Sequence, residues 1–268
     1  MSKVYRAAVL EFVGMTLFVY VSAMLNFYDN VVGTNGGCAA YTTPLKNAIA
    51  ASAVVGLFVY AGTGISKVTL NPCATFILMI TKHISFGQGL LNILANFGGS
   101  ALAGLMLYFV LGNTYGVQQH DLFMQLYQRA WNRDYQGDSI FTNESWICTE
   151  SIAAFLSLVV SLYANYNFQK EPATKSFLSA TAFFLPFVSI YQLTGAGIHP
   201  AHYFGIALVN GIFFNLPLRV YMLGSAIGVV FALPLTWYLF LGREFKGMFG
   251  ITSSDAQVLS PEVEHTSD

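Results

Sequence analysis

Long apolar runs separated by short polar stretches organise this chain of 268 residues. Six runs are long enough to cross a bilayer core of about 30 Å, which takes roughly 20 apolar residues as helix. They lie near 7–28, 46–66, 90–112, 146–166, 177–197 and 219–241. The third and fifth contain no Asp, Glu, Lys or Arg, and the first and fourth contain one acid each, Glu11 and Glu150. Two shorter apolar segments remain, Val68 to Ile80 and Ile198 to Phe214, each with a proline near its start, Pro72 and Pro200. Proline is at home in the first turn of a helix, where its missing N–H costs nothing. About ten residues at 1.5 Å rise give roughly 15 Å, half the core. Lys82 and Asn210-Gly211 offer the stops.

The halves repeat: a span with one Glu, a span, a proline-led half-helix, then a span with small residues. Gly99-Ser100-Ala101 is matched by Gly224-Ser225-Ala226. Three spans per repeat is an odd number, so the second copy is inverted in the membrane. The expectation is an all-α membrane protein of one domain, 1–268, with repeats at about 5–112 and 146–242 and a disordered tail at about 250–268. Non-helical backbone at membrane depth survives only where protein buries it or it lines a wet cavity, so two half-helices point to a pore. The small-residue patches at Gly98-Gly99 and Gly224-Ser225 allow close helix approach.

Composition agrees on the solvent. Hydrophobic residues make up 55% of the chain and charged ones 9%, against about 25% charged in soluble domains. A net charge of −1 gives no reason to expect a nucleic-acid partner. No nucleophile–base set, cofactor fingerprint or metal-ligand spacing stands out, so an enzyme is not expected, and neither a cofactor nor a metal. Basic residues set the orientation. With both termini cytoplasmic, Lys3, Arg6, Lys67, Lys82, Lys170, Lys175, Arg243 and Lys246 lie inside, and Lys46, Arg129, Arg133 and Arg219 outside. That choice places the sequon at Asn143 outside, open to glycosylation, along with Cys38 and Cys148. Phe123, Leu126, Tyr127, Ala130 and Trp131 follow helical spacing and predict a short amphipathic helix there. The polar tail carries serines open to phosphorylation.

At the half-helices the sequence resembles the major intrinsic protein family, the aquaporins and aquaglyceroporins. The family's paired Asn-Pro-Ala motifs read here Asn71-Pro72-Cys73 and His199-Pro200-Ala201, within similar flanks. Glu11 and Glu150 fall where the family has buried glutamates that support the re-entrant loops. The resemblance implies an aquaporin-like fold of six transmembrane helices and two re-entrant half-helices, and a homotetramer in a plasma or internal membrane. It also implies passive conduction of water and other small neutral solutes such as hydrogen peroxide, ammonia, glycerol or urea. Facing half-helix N-termini would repel cations, and the Asn71 amide would donate to water.

The resemblance assigns the selectivity filter to Ala51, Phe187, Ala196 and His202. His202 stands where most members have Arg, and Tyr203 where the glycerol-conducting branch has Asp. Ala51 and the lost Arg are expected to widen the constriction and Phe187 to narrow it. His199 and His202, at i and i+3, share a helix face. His202, nearer the outer vestibule, is placed to titrate between about pH 5 and 8. The degenerate motifs leave two alternatives open, a poorly conducting scaffold or junction protein and a weakly selective ion channel.

Overall fold

Prolines and left-handed residues punctuate the helices. The structure is a computed structural model and describes residues 2–31, 39–115, 143–209 and 216–240. The described residues form α1 (Lys3–Val31), α2 (Ala39–Gly62), α3 (Pro72–Ile80), α4 (Phe86–Tyr115), α5 (Asn143–Asn167), α6 (Pro172–Thr194), α7 (Pro200–Val209) and α8 (Leu216–Phe240). Pro72, Pro172 and Pro200 open their helices, as a residue without a backbone donor can. Six of the eight helices are long and apolar enough to cross a membrane. With 9 and 10 residues, α3 and α7 cannot.

Two helix ends fall several residues short of expectation. α2 stops at Gly62 rather than near 66, and Gly64 turns the chain at φ +83°. α6 stops at Thr194 rather than near 197, where Gly195 takes φ +83° and returns its N–H to the Tyr191 carbonyl. In both places apolar residues that looked like span belong to a loop folding back into the protein. α3 ends at Ile80: the Thr81 hydroxyl donates to the Ile77 carbonyl at 2.7 Å, and Lys82 adopts φ +58°. Cys38, the Phe123–Trp131 segment, Asn210-Gly211 and the tail lie outside the described residues.

The packing is that of a repeat. α1 lies against α2 and α4, and α5 against α6 and α8. α3 packs on α4 and crosses to α8, while α7 packs on α8 and crosses to α4. The α2–α6 contact joins the halves. Exchanging α1–α4 for α5–α8 returns the same set of contacts. With three spans in each half, the halves run in opposite senses through the membrane, and α3 and α7 enter from opposite ends. The face carrying the start of α1 also carries the end of α8; it is called the terminal face below.

The small-residue patches are used inside the chain rather than left for neighbours. A Cβ on Gly99 would lie 2.3 Å from the Phe12 carbonyl oxygen of α1, and one on Gly224 would lie 2.6 Å from Glu150 Cβ of α5. The tightest approach is α7 on α4, where a Cβ on Gly205 would lie 1.7 Å from the Ser100 carbonyl oxygen. There the Gly205 N–H donates to the Ser100 hydroxyl at 2.8 Å. Gly205→Ala must push two backbones apart, so a loss of at least the 1–3 kcal/mol typical of overpacking is expected. The melting temperature in detergent checks it, and a value equal to wild type would show the α4–α7 contact to be loose.

Candidate pore

Each re-entrant loop hangs on one carboxylate. Glu11, fully buried on α1, accepts the N–H of Thr69 and that of Leu70, both at 2.8 Å, and the Asn96 amide at 3.1 Å. Glu150 on α5 accepts the N–H of Gly197 at 2.9 Å and of Ile198 at 2.8 Å, and the Thr194 hydroxyl. These donors have no helix or strand partner, so a buried carboxylate is what satisfies them. The held residues are strained: Leu70 has φ +47° and Ile198 φ +59°, with Ala196 at +55°. Side chains other than glycine rarely adopt such angles. Leu70 and Ile198 occupy equivalent places, one residue before Asn71 and His199.

The two motif residues then diverge. Asn71 caps α3: its Oδ1 accepts the N–H of Cys73 at 2.9 Å and of Ala74 at 3.3 Å. The cap fixes the amide, and Nδ2 is left buried with no partner in the protein. His199 cannot copy this. Its own N–H bonds the Gly197 carbonyl at 2.6 Å, while both ring nitrogens are buried and unpartnered. Cys73 is half-buried and packs with Ala74, Ile77 and Leu78 beside α5 and α8. Pro72 and Ala201 are buried within the half-helix starts, and Pro200 is partly so.

All four positions that the resemblance assigns to the filter come into the same buried cluster region. His202 lies under rings on three sides, its centroid 4.9 Å from Phe18, 5.5 Å from Phe187 and 4.4 Å from Tyr203. Neither of its ring nitrogens has a hydrogen-bond partner, although the Ala196 and Gly197 carbonyls lie toward it. His202 was expected nearer an open vestibule; the three aromatic rings enclose it instead, at 1% exposure. Tyr203 has a structural occupation. It stacks on Tyr221 at 4.1 Å and donates its hydroxyl to the Gly195 carbonyl, while Tyr221 donates to that of Thr194. Together they brace the second re-entrant loop from outside.

Two aromatic residues missing from the sequence reading join this buried cluster. Phe18 of α1 meets Phe183 at 5.5 Å, Phe187 at 6.0 Å, His199 at 5.7 Å and His202 at 4.9 Å. Phe183 of α6 meets His199 edge-on at 5.8 Å. Ala51 belongs to the same buried cluster as these rings. Asn71, Phe18, Phe183, Phe187, Ala196 and His199 expose no surface to a water-sized sphere. Any path past these groups is therefore no wider than about one water molecule. A signal for both rings existed: Phe18 is seven residues after the inward-facing Glu11, and Phe183 four before Phe187, each on the same helix face.

Six spans, two re-entrant half-helices and buried polar groups at the half-helix starts define an integral, multi-pass membrane protein of the channel type. Comparison with known proteins gives the family. The model of the major intrinsic protein family matches residues 1–234. Among curated relatives, a probable aquaporin PIP2-6 of Arabidopsis thaliana is 26% identical over 76% of this chain and 70% of its own. A probable aquaporin TIP1-2 of Oryza sativa subsp. japonica is 26% identical over 89% of this chain and 88% of its own. The X-ray structure of the aquaglyceroporin from Plasmodium falciparum superposes with a TM-score of 0.64 at 15% identity, covering 87% of this chain and 98% of that one. The chain belongs to the major intrinsic protein family, a family of passive channels for water or small solutes rather than of enzymes.

Proposed function

We propose that this protein passes water and other small neutral, hydrogen-bonding solutes, hydrogen peroxide and ammonia among them, in single file between its half-helices. One observation carries the reading. Asn71 Nδ2 and both ring nitrogens of His199 and of His202 are buried polar atoms without protein partners, gathered among aromatic rings. Each such atom costs about 1–3 kcal/mol unless something hydrogen-bonds to it. A passing solute with donors and acceptors recovers that cost at each position. The aquaporin relatives support water as the first solute. The aromatic crowding and the structural use of Tyr203 argue against glycerol and urea as main cargo.

Stopped-flow proteoliposome assays test this. Water, peroxide and ammonia fluxes are expected above those of empty vesicles, with glycerol and urea slower. A panel indistinguishable from empty vesicles rejects the reading. The tightly buried ring cluster favours the poorly conducting scaffold as second reading, which predicts no flux even after the rings are trimmed. The ion-channel reading, motivated by His202 in place of a fixed cation, predicts currents under voltage clamp.

The family resemblance supports a homotetramer with a pore in each subunit. The basic residues favour the terminal face as the cytoplasmic one. Asn143, which opens α5 on the opposite face, would then be available for glycosylation.

A further inference from the structure

At the terminal face, away from the constriction, a cavity of about 290 Å³ opens between the α2–α3 loop, the α3–α4 turn and the ends of α5 and α6. It is lined by Thr63, Ser66, Lys67, His83, Gln88 and Lys175 among others, and no carboxylate lines it among the described residues. Lys175 is 2% exposed, an unusual depth for an ammonium group. Neither Lys67 nor Lys175 forms an ion pair or a side-chain hydrogen bond among the described residues. The two repel each other, and the acid that acts on Lys175 is Glu11, whose oxygens are already engaged by Thr69, Leu70 and Asn96. Lys67 sits 5.7 Å from the centre of the Tyr166 ring, which His83 meets edge-on at 4.3 Å. Burial brings the Lys67 ammonium down from its ordinary value to about 8.

Two partly dehydrated cations facing one cavity with neutral donors around them lack only an anion. At about 30 Å³ per water, the space holds roughly ten waters, or a tetrahedral oxyanion with part of its shell. We propose that this cavity binds a phosphate-type oxyanion, coordinated by Lys67 and Lys175 with Gln88 and Ser66 beside them. The phosphate is either free in solution or the headgroup of a phospholipid, since the chemistry is shared.

The test reads binding rather than flux, so its outcome is independent of conduction. Full-length protein in detergent is titrated with orthophosphate, and with potassium chloride at equal ionic strength, while the melting temperature is followed. A parallel arm uses nanodiscs with and without phosphatidic acid. Orthophosphate or phosphatidic acid is expected to raise the melting temperature where chloride does not. Lys67→Gln and Lys175→Gln should each weaken that binding about tenfold, and Lys170→Gln, exposed outside the cavity, should not. Protection by orthophosphate identifies a soluble anion, and protection by phosphatidic acid alone identifies the lipid. If Lys175→Gln fails to fold, Lys67→Gln, whose side chain is partly exposed, carries the test. Equal behaviour of phosphate, phosphatidic acid and chloride, or undiminished binding in Lys67→Gln, overturns the proposal.

Discussion

Replacing Phe183 by alanine is expected to raise the water permeability of each molecule by about tenfold, the effect of removing about 1.4 kcal/mol from the barrier. Adding Phe18→Ala should raise it further. Two rings crowd the buried histidines. Phe183 lies edge-on to His199, and Phe18 bridges His199 and His202. Water passing from Asn71 to His202 has to squeeze past these rings. Interiors packed as densely as crystals resist such movements. Trimming Phe183 leaves a void bordered by His199, whose two ring nitrogens have no partner, and a cavity with polar walls fills with water where an apolar one stays dry.

The cost falls on stability, since a buried Phe→Ala change loses about 3–5 kcal/mol. Phe183→Val is the gentler companion should the alanine variant fold poorly. Leu158→Ala, buried in a separate cluster beside α3, is the control for general loosening. Stopped-flow shrinkage at several temperatures is the measurement, with the activation energy expected to fall as permeability rises. A folded Phe183 variant with wild-type permeability, alone and with Phe18→Ala, would show that the rings are not the barrier.

These two rings also show where sequence reasoning stops. The six spans were legible because a bilayer demands length and apolarity whatever the packing. The half-helices were legible because proline marks a helix start and 9 or 10 residues cannot span. The ends of α2 and α6 were misplaced because Ile65, Ala196 and Ile198 are as apolar as any span residue. What turns the chain there is the pair Gly64 and Gly195 at φ +83°. Within α1 and α6 nearly every side is apolar, so no hydrophobic face separates residues aimed at lipid from those aimed at the axis. Four filter positions, taken alone, pointed both ways, Ala51 and the lost Arg toward a wider constriction and Phe187 toward a narrower one. The missing quantity was the volume brought in by Phe18 and Phe183, which only the packing of α1 and α6 supplies. Glu11 and Glu150 were legible for the opposite reason: a lone acid in an apolar run must meet donors, and the re-entrant loops supply N–H groups that no helix satisfies.

That dependence makes Glu150→Gln the most damaging conservative change expected in the chain. Glu150 offers two acceptor oxygens to three donors, the N–H groups of Gly197 and Ile198 and the Thr194 hydroxyl. Glutamine keeps the shape but turns one oxygen into an NH2 donor. Whichever way the amide is turned, a donor then faces a loop N–H less than 3 Å away. A hydrogen bond to a charged group contributes about 1.5–3 kcal/mol. The loop also stores strain at Ala196 and Ile198, of order 1–3 kcal/mol for each residue in such a conformation. The carboxylate offsets that strain now; the amide would not. The expected loss is therefore about 3 kcal/mol or more, read as a lower melting temperature and a smaller folded yield in detergent. Glu11→Gln should act in the same direction on Leu70, whose N–H it holds at 2.8 Å. Glu171→Gln is the control, because Glu171 is exposed and its carboxylate meets only the Thr174 hydroxyl, at 3.1 Å. Because Tyr203 and Tyr221 still brace Gly195 and Thr194 from outside, the damage should begin at Gly197–Ile198, seen as faster amide exchange there than at Thr194–Gly195. A Glu150→Gln protein that melts with wild type and keeps those two amides protected would mean the loop is held by packing, and the account of the glutamates as its supports would be wrong.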